Sequence, residues 1–96
     1  MFNKTKDCFT VSGRLDFTNT PDLWKKSRDL IASSIAPIYI DLSAVTYSDS
    51  SGLALLLSWL SVARKYNKRL YFRQVPQQML AMIRVVELEK ILPIET

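Results

Sequence analysis

Short runs of β-branched and aromatic residues alternate with stretches of helical periodicity along this chain, and that alternation leaves few folds open. Cys8-Phe9-Thr10-Val11-Ser12 alternates polar and apolar residues and predicts a strand ending at Gly13. Thr20-Pro21-Asp22 is a helix start: a hydroxyl cap, a proline at the first helical position and an acid in the first turn. That helix runs to about Ser33, with Leu23, Leu30 and Ile31, and Ser27 between them, on one face. Pro37 then breaks the chain. Ile38-Tyr39-Ile40-Asp41-Leu42 reads as a central strand, and Ser43 to Ser48 as a connecting loop. Asp49 or Ser50 can cap the next helix, from about Ser51 to Tyr66, whose Leu-rich first half predicts burial nearly all round. Asn67 suits a left-handed C-terminal residue. Leu70-Tyr71-Phe72 is a third strand. Pro76 opens a third helix with Met79, Ile83 and Val86 at i, i+4 and i+7 and Met82 packing inside with Met79; Ile91 to Ile94 is a short extended tail or a last strand.

Strand and helix in turn predict an α/β domain: a small, mostly parallel sheet with right-handed crossovers, covered by three to four helices. In such sheets the working site lies where strand ends lead into helices, which here is the segment from Val45 to Gly52. At 96 residues the chain is one domain, able to bury one modest core without disulfides or metals.

Composition removes whole classes of chemistry. The chain has no His, so no His base, no Ser–His–Asp triad and no His-ligated metal. It has one Cys, read as an inert strand residue, and so no internal disulfide and no Cys-rich metal site. Its two glycines, Gly13 and Gly52, cannot form a P-loop. Ser48, Ser50 and Ser51 lack a lysine at the third following position, so an enzyme is not expected. A lipid carrier would need a large cavity beside the one core. The polar N-terminus shows no signal-peptide core, and the low-charge stretch from Gly52 to Ala63 falls short of the roughly 20 residues that span a bilayer. A cytoplasmic binding module is the expectation.

Three features remain as candidate contacts. Three hydroxyls and the Asp49 carboxylate stand directly before an apolar helix, where free backbone N–H groups welcome a cap and would equally welcome phosphate on Ser50 or Ser51. Gly52 permits close approach of another backbone. Trp24 reads as a core residue or, one residue past the Leu23 face, as one at an edge open to a partner. Arg64, Lys65, Lys68, Arg69, Arg73 and Arg84 lie in a stretch from Ser50 to Val86 without one acid, which suits helix C-termini, an acidic partner or anionic headgroups. The net charge of +4 demands no nucleic acid.

Ile40-Asp41-Leu42-Ser43, a short loop, and then Asp49-Ser50-Ser51-Gly52-Leu53-Ala54 resembles the STAS domain family, the fold of the anti-sigma-factor antagonists. Val11-Ser12-Gly13-Arg14-Leu15-Asp16 is similar to that family's opening strand and turn. The resemblance covers about Cys8 to Ile94. It implies a non-catalytic, cofactor-free module and offers two roles. In one branch, a small STAS subunit of the Mla ABC transporter binds the ATPase, and through it the permease. That system moves phospholipids between the two membranes of Gram-negative bacteria. The hydroxyl after the Asp, here Ser50, then matters most. Trp24, the Gly52-to-Leu57 run and the chain length resemble this branch, and the chain would sit peripheral to the inner membrane. In the other branch, an anti-sigma kinase phosphorylates a serine that is Ser51 by position; that branch stays open because Ser51 stands where the transporter subunits commonly have Gly. The expected partner-binding residues are Tyr47, Asp49, Ser50, Ser51, Gly52 and Trp24. Ser51 and Ser50 are the phosphorylation candidates. No metal, cofactor or nucleic acid is expected, and no direct insertion into the membrane.

Overall fold

The computed structural model describes residues 2–4, 8–35 and 37–95. Five strands form one sheet in the order β1 (Phe2–Lys4), β2 (Phe9–Leu15), β3 (Ile38–Ser48), β4 (Leu70–Arg73) and β5 (Ile94–Glu95). β1 pairs antiparallel with β2, and the other three pairings are parallel. Three helices, α1 (Thr20–Ser33), α2 (Ser50–Lys65) and α3 (Gln77–Val85), make the returns, and a 3₁₀ turn (Leu88–Lys90) precedes β5. This is the α/β arrangement expected from the alternation of patterns.

The strand residues split cleanly by face. Phe9, Val11, Leu15, Ile38, Ile40, Leu42, Leu70 and Phe72 are buried in one cluster with residues of all three helices. Thr10, Ser12, Tyr39, Asp41, Tyr71 and Arg73, on the alternate positions, are only half-buried. The helices therefore cover one side of the sheet and leave the other open. At the centre of the core the fully buried Trp59 donates its indole N–H to Ser27 Oγ (2.7 Å), and Ser27 donates to the Leu23 carbonyl (2.6 Å). A serine on the apolar face of α1 is thus the matched acceptor of a buried indole.

Several boundaries differ from the sequence reading. The expected loop from Ser43 to Ser48 is strand. Ala44, Val45 and Tyr47 pair with Ser12, Gly13 and Arg14, and Val45 and Ser48 turn inward. β2 likewise continues through Gly13 to Leu15; Gly13 has φ +89°, and the register shifts between Gly13 and Arg14, so the glycine serves an irregularity inside the strand rather than its end. Cys8 precedes that strand instead of opening it. Leu30 is exposed because Leu23, Ser27 and Ile31 at fourfold spacing already fill the buried stripe. Val86 is exposed because α3 ends one residue earlier, and Met82 is half-buried beside the fully buried Met79. The strand at Phe2–Lys4 was not anticipated; its Phe2 ring stacks on Phe9 (4.9 Å between centroids) and tilts against Trp59 (5.5 Å).

Candidate functional site

β2 and β3 end side by side and lead into α1 and α2, so two loops converge at one end of the sheet. Each is fastened by its own aspartate. After β2, the Asp16 carbonyl accepts from the Asn19 and Thr20 N–H groups (3.1 and 3.0 Å). Its carboxylate accepts from the Thr18 N–H (3.0 Å) and the Thr18 hydroxyl. The Asn19 side chain closes the turn, accepting from the Asp16 N–H (3.0 Å) and donating to the Arg14 carbonyl. The Thr18 hydroxyl is the main cause holding the Asp16 carboxyl below its ordinary value; desolvation opposes it, and the Thr18 N–H, Arg14 and the Asn19 N–H add to the lowering. A carboxyl lowered on folding contributes stability above its unfolded value near pH 4 and loses it as pH falls through the folded value. Asp16→Asn is therefore expected to flatten the acid limb of a stability-against-pH curve while changing little of its shape near neutrality, read by urea melts across that range.

After β3, Asp49 is the helix cap: its carboxylate accepts from the Ser51 N–H (2.8 Å), and its carbonyl accepts from the Gly52 N–H (3.0 Å). The Asp49 N–H donates to the Leu15 carbonyl (3.0 Å), which locks the two loops together. Ser48, buried, donates its hydroxyl to the Asp49 carbonyl (2.9 Å). Gln78, on the first turn of α3, then grips Ser48 from the far side. It accepts from the Ser48 N–H (2.9 Å) and donates to the Ser48 carbonyl (2.7 Å). A glutamine behind Pro76 carries no pattern that would announce this role. Gly52 faces Ser48 and Leu15 so closely that a Cβ there would stand 1.9 Å from Ser48 Oγ and 3.1 Å from Leu15 Cβ. The expected approach of another backbone is thus replaced by that of two side chains, Ser48 and Leu15.

The consequence is a rigid start to α2 with Ser50 exposed and Ser51 half-buried. Ser51 lies at the edge of a depression of about 310 Å³ between α1 and α2, which Trp24, Phe17, Pro21, Ala54 and Leu55 also line. Trp24 and the serine loop, distant in sequence, thus share one largely apolar surface. Phe17, 74% exposed at its rim, is a candidate contact that single-residue patterning could not flag, because it sits in the turn and belongs to no periodic face. Tyr47 stands apart: it lies on the uncovered side of the sheet with the Arg14 guanidinium 4.3 Å over its ring. The basic residues do not gather here either. Arg64, Lys65, Lys68 and Arg69 lie at and beyond the far end of α2, Arg73 pairs with Glu95 and Arg84 with Glu89. Chemically the arrangement presents hydroxyls beside an apolar groove, with the nearest carboxylate already spent on capping. Among the described residues no three His, Cys, Asp or Glu side chains group to hold a metal.

Comparison with known proteins is consistent with this geometry. A family model described as "Mlab, STAS domain" matches residues 2–93. A chain of the Acinetobacter MlaFEDB complex, solved in an ATP-bound conformation, superposes with a TM-score of 0.78 at 28% identity, covering 91% of this chain and 92% of that one. An anti-sigma factor antagonist from Mycobacterium paratuberculosis superposes with a TM-score of 0.81 at 24% identity, over 98% and 81% of the two chains, and shares the fold. In sequence, an anti-sigma-B factor antagonist of Staphylococcus aureus is 27% identical over 82 residues, which is 85% of this chain and 76% of the relative.

Proposed function

Because the chain belongs to the Mlab-type STAS domain family, we propose that it is the non-catalytic STAS subunit of an ABC transporter for phospholipids, held against the transporter ATPase by the α1–α2 groove and the serine loop. The observation that carries the reading is the nearly end-to-end match, 91% of one chain on 92% of the other, with a component of the MlaFEDB complex. The groove supports it physically. A half-buried Trp24 beside an apolar depression is the kind of anchor that dominates stable interfaces. The Ser51 hydroxyl at its edge can complete a hydrogen bond, and the exposed Ser50 precedes it in the chain. Contact with the ATPase is then constitutive, and the chain sits on the cytoplasmic side of the inner membrane through its partner. No helix of the described residues is long and apolar enough to cross a membrane.

A second reading keeps one specific observation: Ser51 stands in the groove beside Ser50, and the Staphylococcus relative is an anti-sigma-B factor antagonist. There a phosphate of about −1.5 to −2 charges on Ser51 would be a switch. In a packed transporter interface the same phosphate would have to be desolvated or matched by arginine. Binding of the purified ATPase partner to variants separates the readings. Ser50→Glu and Trp24→Ala are each expected to weaken binding at least about tenfold, or 1.4 kcal/mol, while leaving the fold melting cooperatively. Ser50→Ala should fold as well. Full binding by Ser50→Glu would remove that residue from the interface.

A further inference from the structure

The parallel strands all run toward the serine loop, so the helices return and deliver their C-terminal ends to the opposite end of the molecule. There the last turn of α1 and the start of β3 meet the segment after α2. The Ile38 N–H donates to the Arg69 carbonyl (2.7 Å), and the Lys68 ammonium donates to the Ala32 carbonyl. Neither segment contains an acid: there is no Asp or Glu from Leu30 to Ile40 or from Ser50 to Val86. Arg64, Lys65 and Arg69 are exposed there and enter none of the ion pairs among the described residues. At the same end of the molecule, Ile35, two residues beyond α1, is 92% exposed, and Tyr66, at the end of α2, is half-exposed. Beside them, on the uncovered face of the sheet, Arg69 and Asn67 border a depression of about 340 Å³ floored by the stacked Tyr39 and Tyr71 rings (5.5 Å between centroids).

We infer that this end of the molecule is a contact surface for an anionic lipid bilayer. Favourable interaction with helix dipoles accounts for Arg64 and Lys65 in the last turn of α2, but not for Arg69 at the approach to β4 and not for Ile35. A bilayer interface accounts for all of them. Headgroup phosphates meet the unpaired cations, tyrosine rings settle at headgroup level, and a projecting aliphatic side chain reaches the acyl boundary. A nucleic acid would use the cations and tyrosines and leave Ile35 in water. An acidic protein segment would favour a recessed apolar seat, whereas Ile35 stands proud of the surface. The contact is peripheral, with no segment entering as a span, and it goes beyond the transporter reading because it lies at the other end of the fold from the groove.

Co-sedimentation of the full chain with vesicles tests it. Binding is expected to vesicles of phosphatidylcholine mixed with phosphatidylglycerol, to be absent with phosphatidylcholine alone, and to weaken with salt. Arg64→Gln with Arg69→Gln should weaken it about 30-fold, at about 1 kcal/mol per charge removed. Ile35→Ser should strip the part of binding that survives high salt. Both variants alter exposed side chains, and circular dichroism should show them folded. No binding to the mixed vesicles, equal binding to both kinds, tighter binding to a single-stranded oligonucleotide, or wild-type behaviour of both variants would overturn the inference. Ile35→Ser should leave ATPase binding untouched, so failure of this inference and failure of the transporter reading register in separate assays.

Discussion

Trp59→Ala is expected to destabilise the domain by about 3–5 kcal/mol, the range for emptying a buried aromatic site. The ring is fully buried, lies 5.5 Å from Phe2 and places its N–H on Ser27. Domains of this size are stable by about 5–15 kcal/mol, so the variant would sit near the edge of folding. Two milder changes separate packing from hydrogen bonding. Trp59→Phe keeps most of the apolar volume and loses one hydrogen bond, while Ser27 still donates to the Leu23 carbonyl. Ser27→Ala instead strands a buried indole N–H, which costs about 1–3 kcal/mol. Urea melts on the three variants should therefore rank Trp59→Ala as most damaging. A loss under about 1 kcal/mol for that variant would contradict the described core.

Gly52→Ala is the second large effect, at about 1–3 kcal/mol from overpacking. The new methyl would stand 1.9 Å from Ser48 Oγ and 3.1 Å from both Ser48 Cβ and Leu15 Cβ. The hydroxyl can swing aside only by giving up the Asp49 carbonyl, and Leu15 Cβ belongs to a strand that cannot retreat. Relief must come from lifting the start of α2, which carries Asp49, Ser50 and Ser51 with it. The variant should thus lose partner binding along with stability. Adding Ser48→Gly removes the two nearest Ser48 atoms, and the pair should recover part of the loss. Strict additivity of the two changes in thermal melts would show that Ser48 is not what Gly52 accommodates.

Much of this was legible in the residues, and the failures have physical causes. Pro21 and Asp22 in the first turn of α1, the Asp49 cap and the left-handed Asn67 (φ +57°) follow from local backbone chemistry, which one sequence displays in full. The hydroxyl cap expected of Thr20 does not form: Thr20 is already the first helical residue, and the cap position falls to Asn19, whose side chain closes the Asp16 turn instead. The inner strand runs were legible because the helices bury one face of each. What failed was the second half of β3. Ser43, Ala44, Thr46 and Tyr47 are outward-facing residues held by pairing with an irregular stretch of β2, and nothing in their own pattern of small and polar side chains requires a strand. Phe2–Lys4 was missed because three residues show no period. At the site, the contiguous Asp49-Ser50-Ser51-Gly52 was readable. The meeting of Trp24 with Ser51 and the grip of Gln78 on Ser48 depend on how separate elements pack, and Tyr47, expected beside the serines, faces away because the strand continues through it.

The most direct test of the transporter reading is native mass spectrometry of the protein purified with its partners from its own cells, across growth phases. The account predicts a chain of unmodified mass held in an assembly with an ABC ATPase and its permease. A chain one phosphate heavier at Ser51, released from a serine kinase of the anti-sigma type and never found with an ATPase, would contradict it.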